Sequence, residues 1–299
     1  MGFSTIQYAV CPVCGSKDIQ AKLSAKDHTV SGSVFEIWEC GSCSLRFTQD
    51  APDQQSIHGF YKAENYISHT NTSKGLINRL YLLVRGRTLA LKRRLICTQT
   101  GVAQGRLLDI GAGTGAFVRE MQVHGWEVTG LEPDEDARAR ALALHDVHLK
   151  PLAELDHLEP NRYEAISMWH VLEHVHDLHA CVEQLKVLLK PGGVIFIAVP
   201  NYTSHDGVYY GADWAAYDVP RHLYHFSPQS MKQLLEIHQL KLRSEKPMWF
   251  DAFYISMISE QYSRGGQHFF RGMLSGFLSN INAVTDKEKC SSVIYVAGK

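Results

Sequence analysis

The sequence predicts an α/β fold, a parallel sheet covered on both faces, preceded by a small unit stapled through cysteines. Three observations carry this. Strand and helix signals alternate through residues 107–200, an order that builds parallel strands joined by crossover helices. A glycine-rich turn, Gly111 to Gly115, falls between a strand signal and a helix signal. Four of the seven cysteines form two close pairs before residue 44. Composition bounds the rest. The 299 residues suggest about two domains. With 45% hydrophobic and 20% charged residues, widespread disorder is excluded. No apolar run reaches the ~18 residues of a membrane-spanning helix. A net charge of −1 argues against a basic nucleic-acid coat. The start, MGFSTIQYAV, has no basic flank or long apolar stretch, so no secretory leader is expected. Ile6 does not suit myristoylation of Gly2, and the cytoplasm is the expected location.

Taken in order, residues 1–50 form one unit of short strands and turns, too small to hold a core without a staple. Residues 51–100 read as a helical linker or lid. No Asp or Glu occurs from Asn65 to Leu108, while Lys74, Arg79, Arg85, Arg87, Lys92, Arg93, Arg94 and Arg106 do. Leucines at near-helical spacing make this a basic amphipathic helix. It serves either as a connector with a solvated basic face or as a surface for an anionic substrate or a membrane. Residues 101–299 form the main domain. RLLDI is a strand, TGAFVREMQVHG a helix ending at Gly125, WEVTGLEPD a strand and DEDARARALALH a helix. YEAISMWH and VIFIAVPN are strands around a helix stopped at Pro191 and Gly192. Ser227 caps a helix whose first residue is Pro228. LRSEKPMWF and SSVIYVAG are two late strands around a helical insertion at about 252–285.

Cys11-x2-Cys14 and Cys40-x2-Cys43 each sit on a tight knuckle, with Gly15 and Gly41 easing the turns. Four thiolates suit a tetrahedral structural Zn2+ with no open position. The 25 residues from Gly15 to Glu39 exceed the usual gap, and a long hairpin around Gly32 fills it. Reduced cysteines without metal, or a redox pair, are the competing readings. Cys97, Cys181 and Cys290 read as inert.

The turn Asp109-Ile-Gly111-Ala112-Gly113-Thr-Gly115 lacks the spacing of nicotinamide sites and the Lys-Ser/Thr of triphosphate loops. Its glycines let backbone approach a ligand, and Asp109 can accept from a ligand amine or orient the loop. Glu132, at the tip of the next strand and followed by Pro133, can hold both hydroxyls of a ribose.

These segments resemble the class I S-adenosylmethionine-dependent methyltransferases. LLDIGAGTG is similar to their first motif and VTGLEPD to their second. YEAISMWHVLEHVHD and LLKPGGVIFIAVPN are similar to their fourth- and fifth-strand segments. The resemblance covers about 100–299. It implies a Rossmann-like seven-stranded sheet behind a small N-terminal zinc ribbon. Asp109, Gly111, Ala112, Gly113 and Gly115 are then expected at the methionine end of S-adenosylmethionine, and Glu132 and Pro133 at the ribose. Trp169 and His170 are expected to flank the sulfonium. Tyr66, with Tyr61 and His69, is expected either to close over the cofactor or to pack on a helix.

His170-Val-Leu-Glu173-His174 spells an inverted zinc-peptidase motif, but His170 closes a strand, whereas that motif needs a helix. The stretch also resembles the E-x-x-E-H of ubiquinone-pathway O-methyltransferases, which can hold a divalent cation. Here His170 replaces the first Glu, so bracing of the cofactor loop by Glu173 and His174 is the simpler expectation. Asp218-Val-Pro-Arg-His222-Leu-Tyr-His225 resembles the E-H-L-S-Y-F-S segment of sugar C-methyltransferases that also carry a four-cysteine zinc domain. The resemblance implies His222 as general base, with His225 the second catalytic candidate, and Arg221 standing where they have Glu. A hydrogen-bonded loop brace is the alternative. The expected activity is methyl transfer from S-adenosylmethionine to a small molecule: a sugar nucleotide, a glycan or lipid precursor, or a quinone-like phenol, phosphorylated if the basic helix contacts it. RNA methylation and a non-catalytic zinc-ribbon scaffold are the alternatives.

Overall fold

A computed structural model describes residues 4–61, 76–266 and 268–299. The strands are β1 (Thr5–Ile6), β2 (Ile19–Lys26), β3 (Val34–Cys40), β4 (Arg46–Thr48), β5 (Ala51–Pro52), β6 (Arg106–Ile110), β7 (Glu127–Leu131), β8 (Tyr163–Trp169), β9 (Leu189–Pro200), β10 (Tyr224–His225), β11 (Lys241–Pro247) and β12 (Ser292–Gly298). The α-helices are α1 (Leu76–Thr100), α2 (Ala116–Val123), α3 (Glu135–His145), α4 (Leu178–Leu188), α5 (His205–Tyr210), α6 (Pro228–Ile237), α7 (Asp251–Arg264) and α8 (Phe269–Thr285).

Six strands form the main sheet in the order β11-β12-β9-β8-β6-β7. β6 is parallel to both β7 and β8. The seventh strand of the implied sheet is reduced to one parallel bridge, Leu131 to Lys150. Pro151 follows at once, and without an N–H it cannot extend the ladder. Strand interiors such as Val194 to Val199 are almost wholly buried, as expected of a sheet covered on both faces.

Compactness divides the chain into two units that are not consecutive in sequence. One comprises Met1–Tyr66, Leu172–Cys181 and Ala198–Tyr295; the other comprises Ile67–Val171, Val182–Ile197 and Val296–Lys299. The first therefore joins the cysteine-rich start to the late part of the chain, unlike the sequential division at 50 and 100.

In the first unit a four-stranded sheet has the order β10-β4-β3-β2. β2 and β3 make the expected long hairpin, with Gly32 at φ +68°. Asp27 shapes its turn by accepting from the backbone N–H of Thr29, Val30 and Ser31. β10 pairs with β4, Tyr224 opposite Phe47 and His225 opposite Arg46. The core of this unit includes Phe35, Ile37, Ile57, Trp214, Tyr217 and Val219. Within it Arg221, 1% exposed, donates to Asp218, to Asp27 and to the carbonyl of Phe60.

In the second unit α1 occupies the acid-free stretch. Its basic residues are not simply solvated. Arg93 pairs with Glu120 at 2.8 Å, and Lys92 lies 4.2 Å from the Trp169 ring centre. Ser227 caps α6 in the first unit as expected, accepting from Ser230 N–H with Pro228 first in the helix.

Burial alone would raise the Asp27 carboxyl, but the Ser31 hydrogen bonds and Arg221 outweigh it and hold it at about 2. The sign follows: this carboxylate stabilises the fold fully above its unfolded value near 4, and the contribution is lost as pH falls through about 2. Arg221→Gln strands two carboxylates and is expected to cost about 3–5 kcal/mol in urea unfolding at neutral pH. The same measurement on Asp27→Asn should show a smaller gap from wild type near pH 2 than near pH 7.

Candidate functional site

The glycine turn leaves the end of β6 and enters α2. Gly111, Gly113 and Gly115 all have positive φ, at +71°, +55° and +74°. The N–H groups of Gly111 and Ala112 both donate to the Leu131 carbonyl, which ties the turn to β7. A Cβ on Gly111 would lie 2.3 Å from a Val171 methyl, so only glycine fits there. Glu132, 8% exposed, closes the other side. One carboxylate oxygen accepts from Gly113 N–H at 2.7 Å and the other from Asp134 N–H at 3.0 Å. Each oxygen keeps a lone pair for a ligand hydroxyl. Burial raises the Glu132 carboxyl against the pull of these two backbone bonds. Pro133 is exposed beside it, and its carbonyl accepts from Arg138.

Asp109 lies inside β6 opposite Ser167 of β8, whose hydroxyl donates to it at 2.6 Å. Burial pushes its carboxyl up to about 7, opposed by the Ser167 bond and by Lys92. Trp169 ends β8, packs edge-on against Phe117 and has a buried indole N–H with no acceptor among the described residues. His170 follows at φ +58°, a left-handed conformation that a side chain adopts at a cost. The positive-φ glycines, the paired Glu132 oxygens and the unpartnered indole donor fit a bound nucleoside-type cofactor. Tyr66 lies outside the described residues. Tyr61, in the first unit, places its hydroxyl 3.1 Å from His174 Nδ1.

In the first unit Glu173, His174 and His222 bring their ligand atoms within 4.8 Å of one another. His174 Nδ1 lies 3.0 Å from the Arg221 carbonyl and His222 Nδ1 2.8 Å from the Ala216 carbonyl. A carbonyl can only accept, so both Nδ1 atoms carry the proton and both Nε2 atoms keep a lone pair. The rings sit 4.6 Å apart at 75°. Burial, with His222 next, lowers His174 to about 4. Among the described residues the set that could hold a cation is thus completed by His222, not by His170 as the H-x-x-E-H string suggests. His225 is placed differently. It is a strand residue of β10, and its Nε2 lies 3.1 Å from Thr48 Oγ1, which itself donates to the His222 carbonyl. Burial keeps the His225 ring neutral, far below its ordinary value.

The four cysteines converge. Cys11 Sγ and Cys43 Sγ are 3.5 Å apart, Cys14 Sγ and Cys40 Sγ 3.6 Å, and all four lie within 4.8 Å. A tetrahedral zinc with Zn–S near 2.3 Å needs sulfurs about 3.8 Å apart, so the cluster fits a structural Zn2+. Both knuckles are closed by backbone bonds, Gly15 N–H to Cys11 and Ser44 N–H to Cys40. Cys181 and Cys290 have thiols pushed up by burial, to about 12 and about 11, which makes them poor nucleophiles.

Sequence reading missed the placement of Lys92 over Trp169 and the meeting of Glu173 with His222. For Lys92 a signal existed: Arg85 and Lys92 are seven apart on one helix face, and Arg85 also reaches the turn, 3.4 Å from Thr114 Oγ1. The Glu173–His222 meeting joins residues 49 apart in the chain, and no local pattern announces it.

The methyltransferase-domain family profile matches residues 82–245, more than half of the 299. The chain is 25% identical over 169 residues to a ubiquinone biosynthesis O-methyltransferase of Xanthomonas campestris pv. campestris, covering 52% of this chain and 71% of that one. It is 33% identical over 104 residues to the protein of that name from Bordetella bronchiseptica, covering 32% and 43%. A structure described as a candidate sarcosine dimethylglycine methyltransferase from Galdieria sulphuraria superposes with a TM-score of 0.50 at 18% identity, covering 74% of this chain and 87% of that one. At that identity it shows a shared fold.

Elemental analysis of the purified chain should find about one zinc per molecule, and Cys14→Ser should lose it together with cooperative unfolding of the first unit. Gly111→Ala should remove ligand binding at the turn, because a Cβ there meets Val171 and the φ is positive.

Proposed function

Because this chain belongs to the methyltransferase-domain family and is an S-adenosylmethionine-dependent methyltransferase, we propose that the turn from Asp109 to Gly115 and Glu132 hold that donor. The acceptor in this reading is a small molecule with an ionisable hydroxyl. The observation that carries the reading is the Glu132 carboxylate, fixed by Gly113 and Asp134 with lone pairs to spare, next to glycines that admit a ligand against the backbone. Bound S-adenosylmethionine supplies an electrophilic methyl group on a sulfonium. Everything else falls to side chains. Glu132 accepts from both ribose hydroxyls, with Pro133 beside it. Gly111, Ala112, Gly113 and Gly115 border the methionine moiety, and Asp109 keeps the turn in register through Ser167. Trp169 and His170 bound the reacting end, and the free indole N–H is a donor for the ligand. Tyr66 retains its expected role as a covering residue. We assign the four cysteines a purely structural zinc.

His222 is the proposed general base. Its Nδ1–H is spent on the Ala216 carbonyl, so the proton of the acceptor hydroxyl goes to Nε2. His225 acts through position, by ordering Thr48 and hence the His222 backbone. The names of the Xanthomonas and Bordetella relatives favour a quinone-like phenol over a sugar nucleotide. A second reading has an observation of its own. Glu173, His174 and His222 could hold a divalent cation that lowers the acceptor hydroxyl's pKa directly.

Calorimetric titration tests the donor site. Glu132→Ala should weaken S-adenosylmethionine binding by about a hundredfold, the loss expected when two charge-assisted hydrogen bonds go. Unchanged affinity would sink the assignment. His222→Asn should keep donor affinity and lower kcat on a catechol-type acceptor by about 10²–10⁴-fold. If activity falls on chelation and returns with Mn2+ while the zinc stays bound, the cation reading wins over the direct base.

A further inference from the structure

Within the second unit an open cleft of about 270 Å³ lies between α1, α2 and the end of α3. Its polar groups come from all three helices: Arg85 from α1, Arg119 and Glu120 from α2, and His145 from the last position of α3. Glu120, the carboxylate among them, is already committed, because it accepts from Arg93 at 2.8 Å. No carboxylate among the described residues pairs with Arg119. Arg85 donates to the Thr114 hydroxyl at 3.4 Å. The buried Nε2 of His145 has no hydrogen-bond partner among the described residues. Burial, with Arg85 and then Arg119 behind it, holds the His145 ring below its ordinary value, so both guanidiniums act on the imidazole. A buried polar atom left unmatched costs stability, and one placed beside two cations suits an anionic ligand.

The remaining wall is apolar. Leu89 and Val123 line it, and Val123 is 57% exposed. Gly86 borders the cleft from the interior of α1, where glycine weakens a helix. Packing does not demand a glycine there. A Cβ would meet nothing within 4 Å among the described residues. What the missing side chain leaves is room.

We propose that this cleft binds a phosphate monoester of a small apolar alcohol. Arg119 and His145 Nε2–H donate to the phosphate, and Arg85 adds charge beside them. The apolar part of the ligand lies along Leu89 and Val123. A phosphate monoester carries nearly two negative charges and three acceptor oxygens, and arginine recognises it in preference to weaker anions. The volume sits at the small end of small-molecule pockets, which run roughly 300–1,000 Å³. The inference uses no residue of the proposed donor site and stands apart from that assignment.

Calorimetric titration of the full-length, zinc-loaded protein with phenyl phosphate tests it, with inorganic phosphate and phenol as the separate halves. Phenyl phosphate should bind at least about tenfold more tightly than either half. Arg119→Gln and His145→Gln should each weaken it by about tenfold or more, the effect of one lost charge-assisted hydrogen bond. Both variants should keep the wild-type affinity for S-adenosylmethionine. Gly86→Leu, which fills the cleft, should abolish phenyl phosphate binding while circular dichroism shows the helix retained. By NMR the His145 ring should titrate at a higher pH with phenyl phosphate bound, as a neighbouring dianion requires. A folded wild type that does not bind phenyl phosphate overturns the proposal. So does binding that survives Arg119→Gln and His145→Gln combined, or equal affinity for inorganic phosphate. Loss of S-adenosylmethionine affinity in both single variants would make the cleft part of the donor site and overturn it as well.

Discussion

A single buried guanidinium organises the first unit. Arg221 donates to Asp218 within its own loop, to Asp27 in the β2–β3 turn and to the Phe60 carbonyl. Three stretches far apart in the chain are therefore held to one cation, in an interior where leaving any of the charges alone would cost several kcal/mol. The backbone around Arg221 is fixed as a result. Its own carbonyl faces His174, and two residues on, Leu223 N–H donates to the Glu173 carbonyl. The two imidazoles and the Glu173 carboxylate owe their mutual placement to this loop. Arg221 is thus the anchor of the segment that carries His222, the proposed base.

The second unit solves a different problem with backbone alone. Three positive-φ glycines open a turn, and one carboxylate closes it. Glu132 satisfies the Gly113 and Asp134 N–H groups at once, so the turn and the start of α3 are set by the same side chain that is proposed to hold the donor. A carboxylate already locked in this way would lose little freedom on binding a ribose, the role proposed for it. The positive φ of His170 and the Trp169 indole, which has no acceptor among the described residues, lie at the end of β8, where open sheets bind their ligands.

Periodicity and turn chemistry made most of the architecture legible. The cap at Ser227, the glycine stop at Gly125 and the long hairpin at Gly32 all appear where residue chemistry puts them. The seventh strand is where that reading stops, because Pro151 truncates a ladder whose other strands read clearly. Site residues within one short motif were legible for the same reason: the glycines and Glu132 lie at neighbouring strand ends. What stayed hidden depends on tertiary placement. Lys92 reads as one charge in a basic run, yet it lies over Trp169. His225 looks equal to His222 in the string, yet strand pairing points the two into different surroundings.

The hydrogen bonds around the second cysteine knuckle bear on how this chain is built. Ser44 meets Ser227 at the cap of α6, Gln229 donates to the Ser42 carbonyl, and the Tyr202 hydroxyl donates to the Ser44 carbonyl. β4, a few residues on, supplies the pairing partner of β10. The four-cysteine unit is therefore no detachable bead on a string. It is a strand donor and splint for the loop that bears His222. A shortened chain lacking it would be left with a raw β-edge in place of a finished loop.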